Sequence, residues 1–180
     1  MGDDPIGPTM NPRTDPLPEM LRHWREAVPN DRLAHLIRDV SRAQMRSLQA
    51  RLALHGVSFG HWTFLRILWL QDGLTQRELS HLAGVMEPTT LAAVRAMQDM
   101  GLVERRQLDG NRKNMHVFLT PLGRSLEQTL VPLAEEVNRI SVQGMSERAV
   151  STTRRTLLLM LEQLAQDPLL APGDGGNAPA

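Results

Sequence analysis

The sequence contains no cysteine. A disulfide framework and a thiol-based redox switch are therefore both excluded. No apolar run approaches the length needed to span a bilayer, and no signal-peptide pattern opens the chain. These absences predict a cytoplasmic protein that has no membrane partner.

Aromatic residues are also scarce, since they make up 3% of the chain and tyrosine is absent. The hydrophobic fraction of 41% consists mainly of leucine, alanine, valine and methionine. Such a composition favours helices, because strands are enriched in β-branched and aromatic side chains. With 180 residues, the chain is long enough to bury the core of one domain of ordinary size.

A net charge is missing as well, because 20 basic residues balance 20 acidic ones. This balance argues against indiscriminate nucleic-acid binding, since proteins of that kind are usually basic. It is compatible with a locally basic face, and residues 101–120 carry an excess of positive charge. Lys113 is the single lysine, and arginine, which supplies the other cations, binds phosphate in a bidentate manner.

The residue constellations that indicate an enzyme are absent from the sequence. There is no glycine-rich phosphate loop and no nucleophile elbow. The six histidines form no pair at metal-ligand spacing on one predicted helix, and there is no thiolate to assist them. We therefore expect neither catalysis nor a bound metal or cofactor.

What is present, in the middle of the chain, is the pattern of two short helices joined by a tight turn. Thr75 and Glu78 predict a capping box at the start of the first helix. Gly84 supplies the left-handed conformation that the turn requires. The second helix is predicted to begin near Glu87–Pro88 and to end at Gly101. A unit of this kind can place its second helix in the major groove of DNA.

A β-hairpin is predicted directly after these helices. Leu102–Arg106 and Met115–Leu119 are short strand candidates, and residues 109–114 between them have the composition of a turn with a cationic tip. An arginine such as Arg112 at this tip suits a narrow, electronegative minor groove. The alternative is a hairpin tip that is merely solvated.

This block resembles the multiple-antibiotic-resistance regulator (MarR) family of bacterial transcription factors. The resemblance implies a homodimer that binds DNA and, as in many members, releases it when a small, often phenolic, acid binds. The matching segments are residues 79–85, 101–105, 109–113 and 119–123, and helical flanks extend the resemblance over roughly residues 30–166.

Two positions depart from the family's pattern. Asn111 stands where an aspartate commonly precedes the wing arginine, which puts an Asp–Arg brace of the wing in question. Ala92 stands where many members carry an arginine on the recognition helix. Base readout is therefore expected from Thr89, Thr90 or Arg95.

The expected DNA contacts come from both predicted helices and from the hairpin. Thr90 would lie near base edges or phosphates, although a buried core position fits it equally well. The backbone amide of Thr75 and the residues after it would fix phosphates. The predicted set is Thr75, Gln76, Arg77, Pro88, Thr89, Thr90, Arg95, Arg112 and Lys113.

A ligand site is expected near the start of the second predicted helix of the chain. His61, Trp62 and Arg66 resemble a pocket wall, with a flat ring for stacking and a guanidinium for a carboxylate. A tryptophan at helical spacing is more usually a core residue, and the arginines of the preceding helix fit a solvated face. For a small aromatic carboxylic acid or its thioester, the predicted set is His35, Arg38, His61, Trp62 and Arg66.

The predicted fold class is mainly α with a small β-hairpin wing: a winged helix-turn-helix flanked by N- and C-terminal dimerisation helices. Residues 156–161 are apolar nearly all round, which requires cover on both sides, most simply by a second subunit. Pro132 would bend its helix, or end it and start another. We expect a flexible tail at 1–29, a single domain at 30–166 (winged lobe 57–120, dimerisation helices 30–56 and 121–166), and a disordered tail at 167–180.

The resulting hypothesis is a ligand-responsive transcriptional regulator, a repressor, that binds a pseudo-palindromic operator in double-stranded DNA as a homodimer. The rival hypothesis is a winged-helix interaction module that docks a partner protein and never touches DNA. The neutral net charge and Ala92 favour this rival. The salt dependence of DNA binding separates the two, because counterion release scales with the number of phosphate contacts.

Overall fold

The computed structural model describes residues 21, 22, 24, 33–108 and 111–169, with the backbone alone described at 111–113. Most of the predicted N-terminal tail, the hairpin tip at 109–110 and most of the C-terminal tail lie outside these residues. The described part contains six helices and one three-stranded antiparallel sheet, which confirms the predicted fold class. The helices are α1 Leu33–Ala53, α2 Phe59–Leu70, α3 Gln76–Ala83, α4 Glu87–Asp99, α5 Pro121–Ser141 and α6 Glu147–Leu164; the strands are β1 Leu74–Thr75, β2 Val103–Leu108 and β3 Asn111–Leu119.

The chain divides into two compact units, residues 1–134 and 135–180. In the first unit, α2, α3 and α4 contact one another and form a core with the sheet. The leucine, valine and methionine side chains at its centre are fully buried, and each stabilises the fold by about 1.5–3 kcal/mol through removal from water. These side chains are Leu65, Leu68, Leu79, Val94, Met97 and Val117.

Side chains cap the backbone at the starts of three helices, and the predicted capping box at Thr75 is among them. The Ser58 hydroxyl accepts from the His61 amide at the start of α2, and Thr75 and Glu78 form the capping box of α3. The Thr120 hydroxyl accepts from the Gly123 amide at 3.1 Å where α5 begins. Such caps satisfy amides of the first turn that have no acceptor within the helix.

The sheet contains one strand that the sequence pattern did not predict. β1 has only two residues, and it pairs with the end of β3 through Leu74 opposite Val117, which gives the strand order β1-β3-β2. The hairpin strands are also longer than predicted. Leu108 pairs with Asn111, and Arg112 and Lys113, which the sequence pattern assigned to the turn, lie within β3.

The turn after α2 is fastened to segments that lie far along the chain. Asp72 accepts from the Leu119 amide at 2.8 Å through one carboxylate oxygen, and its other oxygen pairs with Arg124. The Trp69 indole donates to the Gly123 carbonyl at 2.9 Å. A Cβ atom at Gly123 would overlap the carbonyl oxygen of Leu102, so only glycine allows this approach of α5 to the start of β2.

Two helices leave most of their apolar side chains exposed. On α1, only Leu48 and Leu52 are buried. Pro132 lies inside α5 without ending it, which settles that alternative in favour of a continuous helix. In the second unit, the Ser146 hydroxyl caps α6, yet α6 has no buried residue. Its exposed leucines are Leu157, Leu158, Leu159, Leu161 and Leu164.

Candidate nucleic-acid interface

The turn between α3 and α4 sets the angle between these two helices. Gly84 adopts the left-handed conformation, with φ of 65°, and ends α3. The buried Ser80 hydroxyl donates to the Val85 carbonyl at 2.6 Å, and the Val85 amide donates to the Ser80 carbonyl at 3.2 Å. Both polar atoms of Val85 are thereby paired with one residue, which fixes the turn from which α4 starts.

The α4 helix has one buried and one exposed face. Thr90, Val94 and Met97 are fully buried against the rest of the first unit, whereas Thr89 and Arg95 are exposed. Pro88 and Ala92 are exposed as well. The face that carries them can therefore enter a groove while the opposite face remains packed.

Thr90 corrects the predicted set of DNA contacts. Its side chain is fully buried, and its hydroxyl lies 3.5 Å from the Met86 carbonyl, one helical turn back. The position follows from the helical repeat, because residue 90 shares a face with Val94 and Met97. Of the two roles compatible with the sequence, Thr90 therefore takes the core one, and no base can reach it.

The backbone amide of Thr75 is a second correction. It donates to the Glu78 carboxylate at 2.7 Å, so this amide is already occupied within the capping box. The Glu78 carboxylate accepts hydrogen bonds from the backbone amide of Thr75 and from its hydroxyl. Both lower the pKa of Glu78, and the backbone bond has the larger effect. The amides of Gln76 and Arg77, in the first turn, have no acceptor within the helix and remain candidates for phosphate contact.

The side chains of Gln76 and Arg77 differ in exposure. Arg77 is exposed, and no described residue pairs with its guanidinium. Gln76 is half-buried, and its side-chain nitrogen has no hydrogen-bond partner among the described residues. Arg77 therefore keeps donors available for an external acceptor, whereas the Gln76 side-chain nitrogen is shielded from solvent.

The base of the wing is attached to α4 by contacts that the sequence pattern did not reveal. The Arg105 guanidinium donates to the Gln98 side chain at 2.9 Å. Arg106 stacks 3.9 Å above the centre of the Phe118 ring and lies 3.7 Å from Glu104. Two of the cations counted in the basic segment are thus engaged inside the lobe. For Arg112 and Lys113 the structure gives backbone positions in β3.

The predicted ligand residues occupy different environments. The Trp62 indole is buried and packs edge-on against Trp69, with ring centroids 5.6 Å apart, so it lies in the core. His61 is half-buried; burial lowers its pKa, and its Nδ1 has no partner among the described residues. Arg66 is exposed. On α1, His35 is half-buried, and the exposed Arg38 lies 3.3 Å from Asp39.

Two open cavities lie elsewhere on the first unit. One has a volume of about 430 Å³, lies where α1 approaches the start of α2, and has a mainly apolar wall with one guanidinium. Its lining is Met45, Arg46, Gln49, Ala50 and Phe59. The other, of about 460 Å³, lies beside α3 and is lined by Gln71, Leu74, Arg77, Glu78, His81 and Leu82. Neither lining includes the predicted ligand residues. The position of a cavity depends on how neighbouring helices pack, which the pattern of a single helix does not specify.

Within the described residues, no group of three or more histidine, aspartate or glutamate side chains could hold a metal ion. A search of the same part of the chain finds no helix that combines the length and apolarity needed to cross a membrane.

Comparison with known proteins identifies the domain. The profile of the family described as MarR family matches residues 57–115. An HTH-type transcriptional repressor of Mycobacterium tuberculosis is 27% identical over 135 residues, which cover 75% of this chain and 94% of the repressor.

Solved structures agree on the architecture. A MarR-family regulator from Silicibacter pomeroyi is 27% identical, with a TM-score of 0.60 over 72% of this chain and 88% of its own. MepR of Staphylococcus aureus, in a complex with DNA, is 20% identical, with a TM-score of 0.67 over 74% of this chain and 99% of its own. At that identity the likeness concerns the fold. From the matched profile and these relatives, we conclude that residues 57–115 form a winged helix-turn-helix domain of the MarR family, and that the chain resembles regulators of that family over about three quarters of its length.

Proposed function

We propose that this regulator is a sequence-specific repressor that binds double-stranded DNA in the cytoplasm. The observation that carries the proposal is the two-faced α4 helix: Thr90, Val94 and Met97 anchor it in the core, and Pro88 and Thr89 stand exposed on its first turn. A helix held in this way can enter a major groove without losing its packing.

Phosphate contacts would come from the start of α3 and from the wing. The amides of Gln76 and Arg77 and the exposed Arg77 side chain lie at a helix N-terminus, where the helix dipole favours an anion. Arg112 and Lys113 in β3 would reach the minor groove and the adjoining backbone. These contacts fix the position of the protein on the duplex, and α4 reads the bases.

The proposed operator is pseudo-palindromic, because we propose that the protein acts as a homodimer. The exposed leucines of α6 support this assembly, since a helix with no buried residue gains little stability from packing in one chain. Two-fold symmetry then places the half-sites about one helical turn of DNA apart.

Release by a small aromatic carboxylic acid or its thioester completes the proposal. The cavity lined by Met45, Phe59 and Arg46 offers apolar walls and one cation for a carboxylate, and it lies on the same pair of helices as the predicted residues His61 and Arg38. A ligand there weakens DNA binding only if it favours the arrangement that does not bind. Coupling of this kind is typically worth about 1–3 kcal/mol.

The test is fluorescence anisotropy against duplex fragments from the upstream region of the gene itself. Affinity is measured at two salt concentrations, with and without a panel of aromatic acids. We expect tight, sequence-selective binding that weakens steeply with salt, since phosphate contacts release counterions. If no fragment is bound selectively, the proposal is wrong, and a partner protein becomes the better candidate ligand for the winged lobe.

A further inference from the structure

In its first two turns, the exposed face of α4 carries two hydrogen-bonding side chains, those of Glu87 and Thr89. Pro88, Ala92 and Arg95 follow one another at intervals of four and three residues, and all three are exposed. We call these three residues, together with the adjacent Thr89, the reading ridge. Its orientation is fixed because the opposite face is fully buried.

The chemistry of the reading ridge is narrow. Its N-terminal half offers the methyl group of Ala92, the proline ring and the methyl and hydroxyl groups of Thr89. Its single cation is Arg95, and no described residue forms an ion pair or hydrogen bond with that guanidinium. Glu87 and Asp99 add carboxylates at the two ends of the helix, and carboxylates are repelled by the phosphate backbone.

Gln98 is the side chain of α4 that would otherwise read adenine through paired hydrogen bonds. It is exposed, but its carbonyl oxygen accepts from Arg105 at 2.9 Å. The amide is therefore engaged with the base of the wing. Direct hydrogen-bonded readout from α4 is thus concentrated at Arg95, with the Thr89 hydroxyl as the only addition on the ridge.

The major-groove edges of the bases match these groups selectively. The C5-methyl group of thymine is the apolar feature of the groove, and alanine and threonine methyl groups contact it. Arginine pairs with two acceptors of guanine. Ala92 and Arg95 are separated by roughly 4.5 Å along the helix axis, which corresponds to about one or two base-pair steps.

We infer that each operator half-site contains a thymine read by its methyl group against Ala92 and, within about two base pairs, a guanine read by Arg95. The inference rests on the proposed function, because it names the sequence that the DNA-binding face selects. The reading ridge would recognise this thymine mainly through contact with its C5-methyl group. A uracil at the same position lacks that group and should therefore bind less tightly.

The test begins with selection of tight binders from a random pool of duplexes. In the selected duplex, each half-site thymine is replaced in turn by deoxyuridine, which removes only the methyl group and keeps base pairing. We expect one position at which the change weakens binding about four-fold, the effect of leaving one methyl group uncovered. Deoxyuridine in the flanking sequence is the control and should leave affinity unchanged.

The variant Ala92→Gly assigns the contact to its residue. Circular dichroism first establishes that the variant is folded, since glycine weakens a helix. In the folded variant, the same thymine-to-deoxyuridine change should weaken binding by less than about two-fold, because the partner methyl group is gone. Arg95→Ala should abolish the preference for guanine while the methyl effect persists.

The outcomes separate the inference from the proposed function. A selected duplex that tolerates deoxyuridine at every position overturns the inference and leaves DNA binding established. An equal deoxyuridine penalty in the wild-type and Ala92→Gly proteins also overturns it. Failure to select any duplex overturns the proposed function, and the inference with it.

Discussion

The winged lobe and the α6 helix use the same apolar residues in opposite ways. In the lobe, Leu65 and Leu68 are fully buried, and the helix that carries them contacts α1, α3, α4 and β3. On α6, Leu161 is 64% exposed and Leu164 is 54% exposed. Both regions have well-formed helices with capped starts, so the difference lies in packing and not in local structure.

The comparison shows that a leucine pattern specifies a helix face without specifying what covers it. In the lobe, the cover comes from segments of the same chain. On α6, the described part of one chain leaves the leucines exposed, although exposed apolar clusters of this kind are typical of interaction sites. The following predictions test whether the two regions differ in the way that their burial indicates.

The largest effect is expected in the lobe core. Leu68→Ala should lower the free energy of unfolding by about 2–5 kcal/mol, because it removes buried methyl groups and leaves a cavity. Leu70→Ala, on the same helix, is the matched control, since Leu70 is 86% exposed. Denaturant titration of both variants measures the difference. Equal losses would show that the burial pattern of α2 is incorrect.

The next effect concerns assembly. Leu161→Glu should weaken the proposed homodimer by about 2–4 kcal/mol, because it places a charge in a surface that association would desolvate. Sedimentation velocity over a dilution series measures the monomer–dimer equilibrium. Leu54→Glu is the control: this leucine is 83% exposed and lies in the loop after α1. A Leu161→Glu protein that dimerises normally would remove α6 from the interface.

A smaller effect is expected for DNA binding alone. Arg112→Ala should weaken operator binding by about 1–3 kcal/mol if its guanidinium enters the minor groove. The oligomeric state should not change, because Arg112 belongs to the wing and not to α6. Arg148→Ala, an exposed arginine on α6, serves as the comparison in the same anisotropy measurement. Unchanged affinity for Arg112→Ala would exclude the Arg112 side chain from the interface.

The smallest effect comes from the charge of a helix cap. Glu78→Gln should lower the free energy of unfolding at neutral pH by about 0.5–1 kcal/mol, because it weakens a charge-assisted bond at a helix N-terminus. The pKa of Glu78 lies below its ordinary value of 4.5 in the folded protein. The stabilisation is therefore complete above the unfolded-state value and is lost as the pH falls through the lowered one.

The pH dependence provides the check. The difference in unfolding free energy between wild type and Glu78→Gln should be constant near neutrality and vanish in the acid range below pH 4.5. Glu147→Gln, in the first turn of α6, is the matched control, because Ser146 caps that helix without a reciprocal carboxylate bond. A pH-independent difference for Glu78→Gln would contradict the role of its charge.

Local features of the fold were predictable from the sequence because their causes lie within a few residues. The capping box at Thr75, the left-handed Gly84 and the cap at Ser146 each depend on neighbours in the chain, and the structure contains all three. The two residues of β1 could not be predicted, since a strand of that length has no periodicity and depends on its pairing with β3.

The candidate site was less predictable because it depends on tertiary contacts. No spacing rule connects Gln98 with Arg105. Their hydrogen bond nevertheless occupies the Gln98 side-chain oxygen and so reduces the number of α4 side chains that are free to contact bases. The two roles of Thr90 were distinguishable only once the packing of α4 was known. Likewise, the cavity beside Phe59 arises from the approach of α1 to α2, which no single helix pattern encodes.

The carboxylate of Asp72 has a consequence for local unfolding of the winged lobe. It holds the Leu119 amide at the end of the wing and the Arg124 guanidinium at the start of α5, which are 47 and 52 residues away in sequence. If either bond broke alone, the Asp72 carboxylate would lose one of the two hydrogen-bond donors that stabilise its charge. The turn after α2, the wing and the beginning of α5 should therefore exchange their amide hydrogens as one cooperative unit, so that the wing cannot fray independently of the helix that follows it.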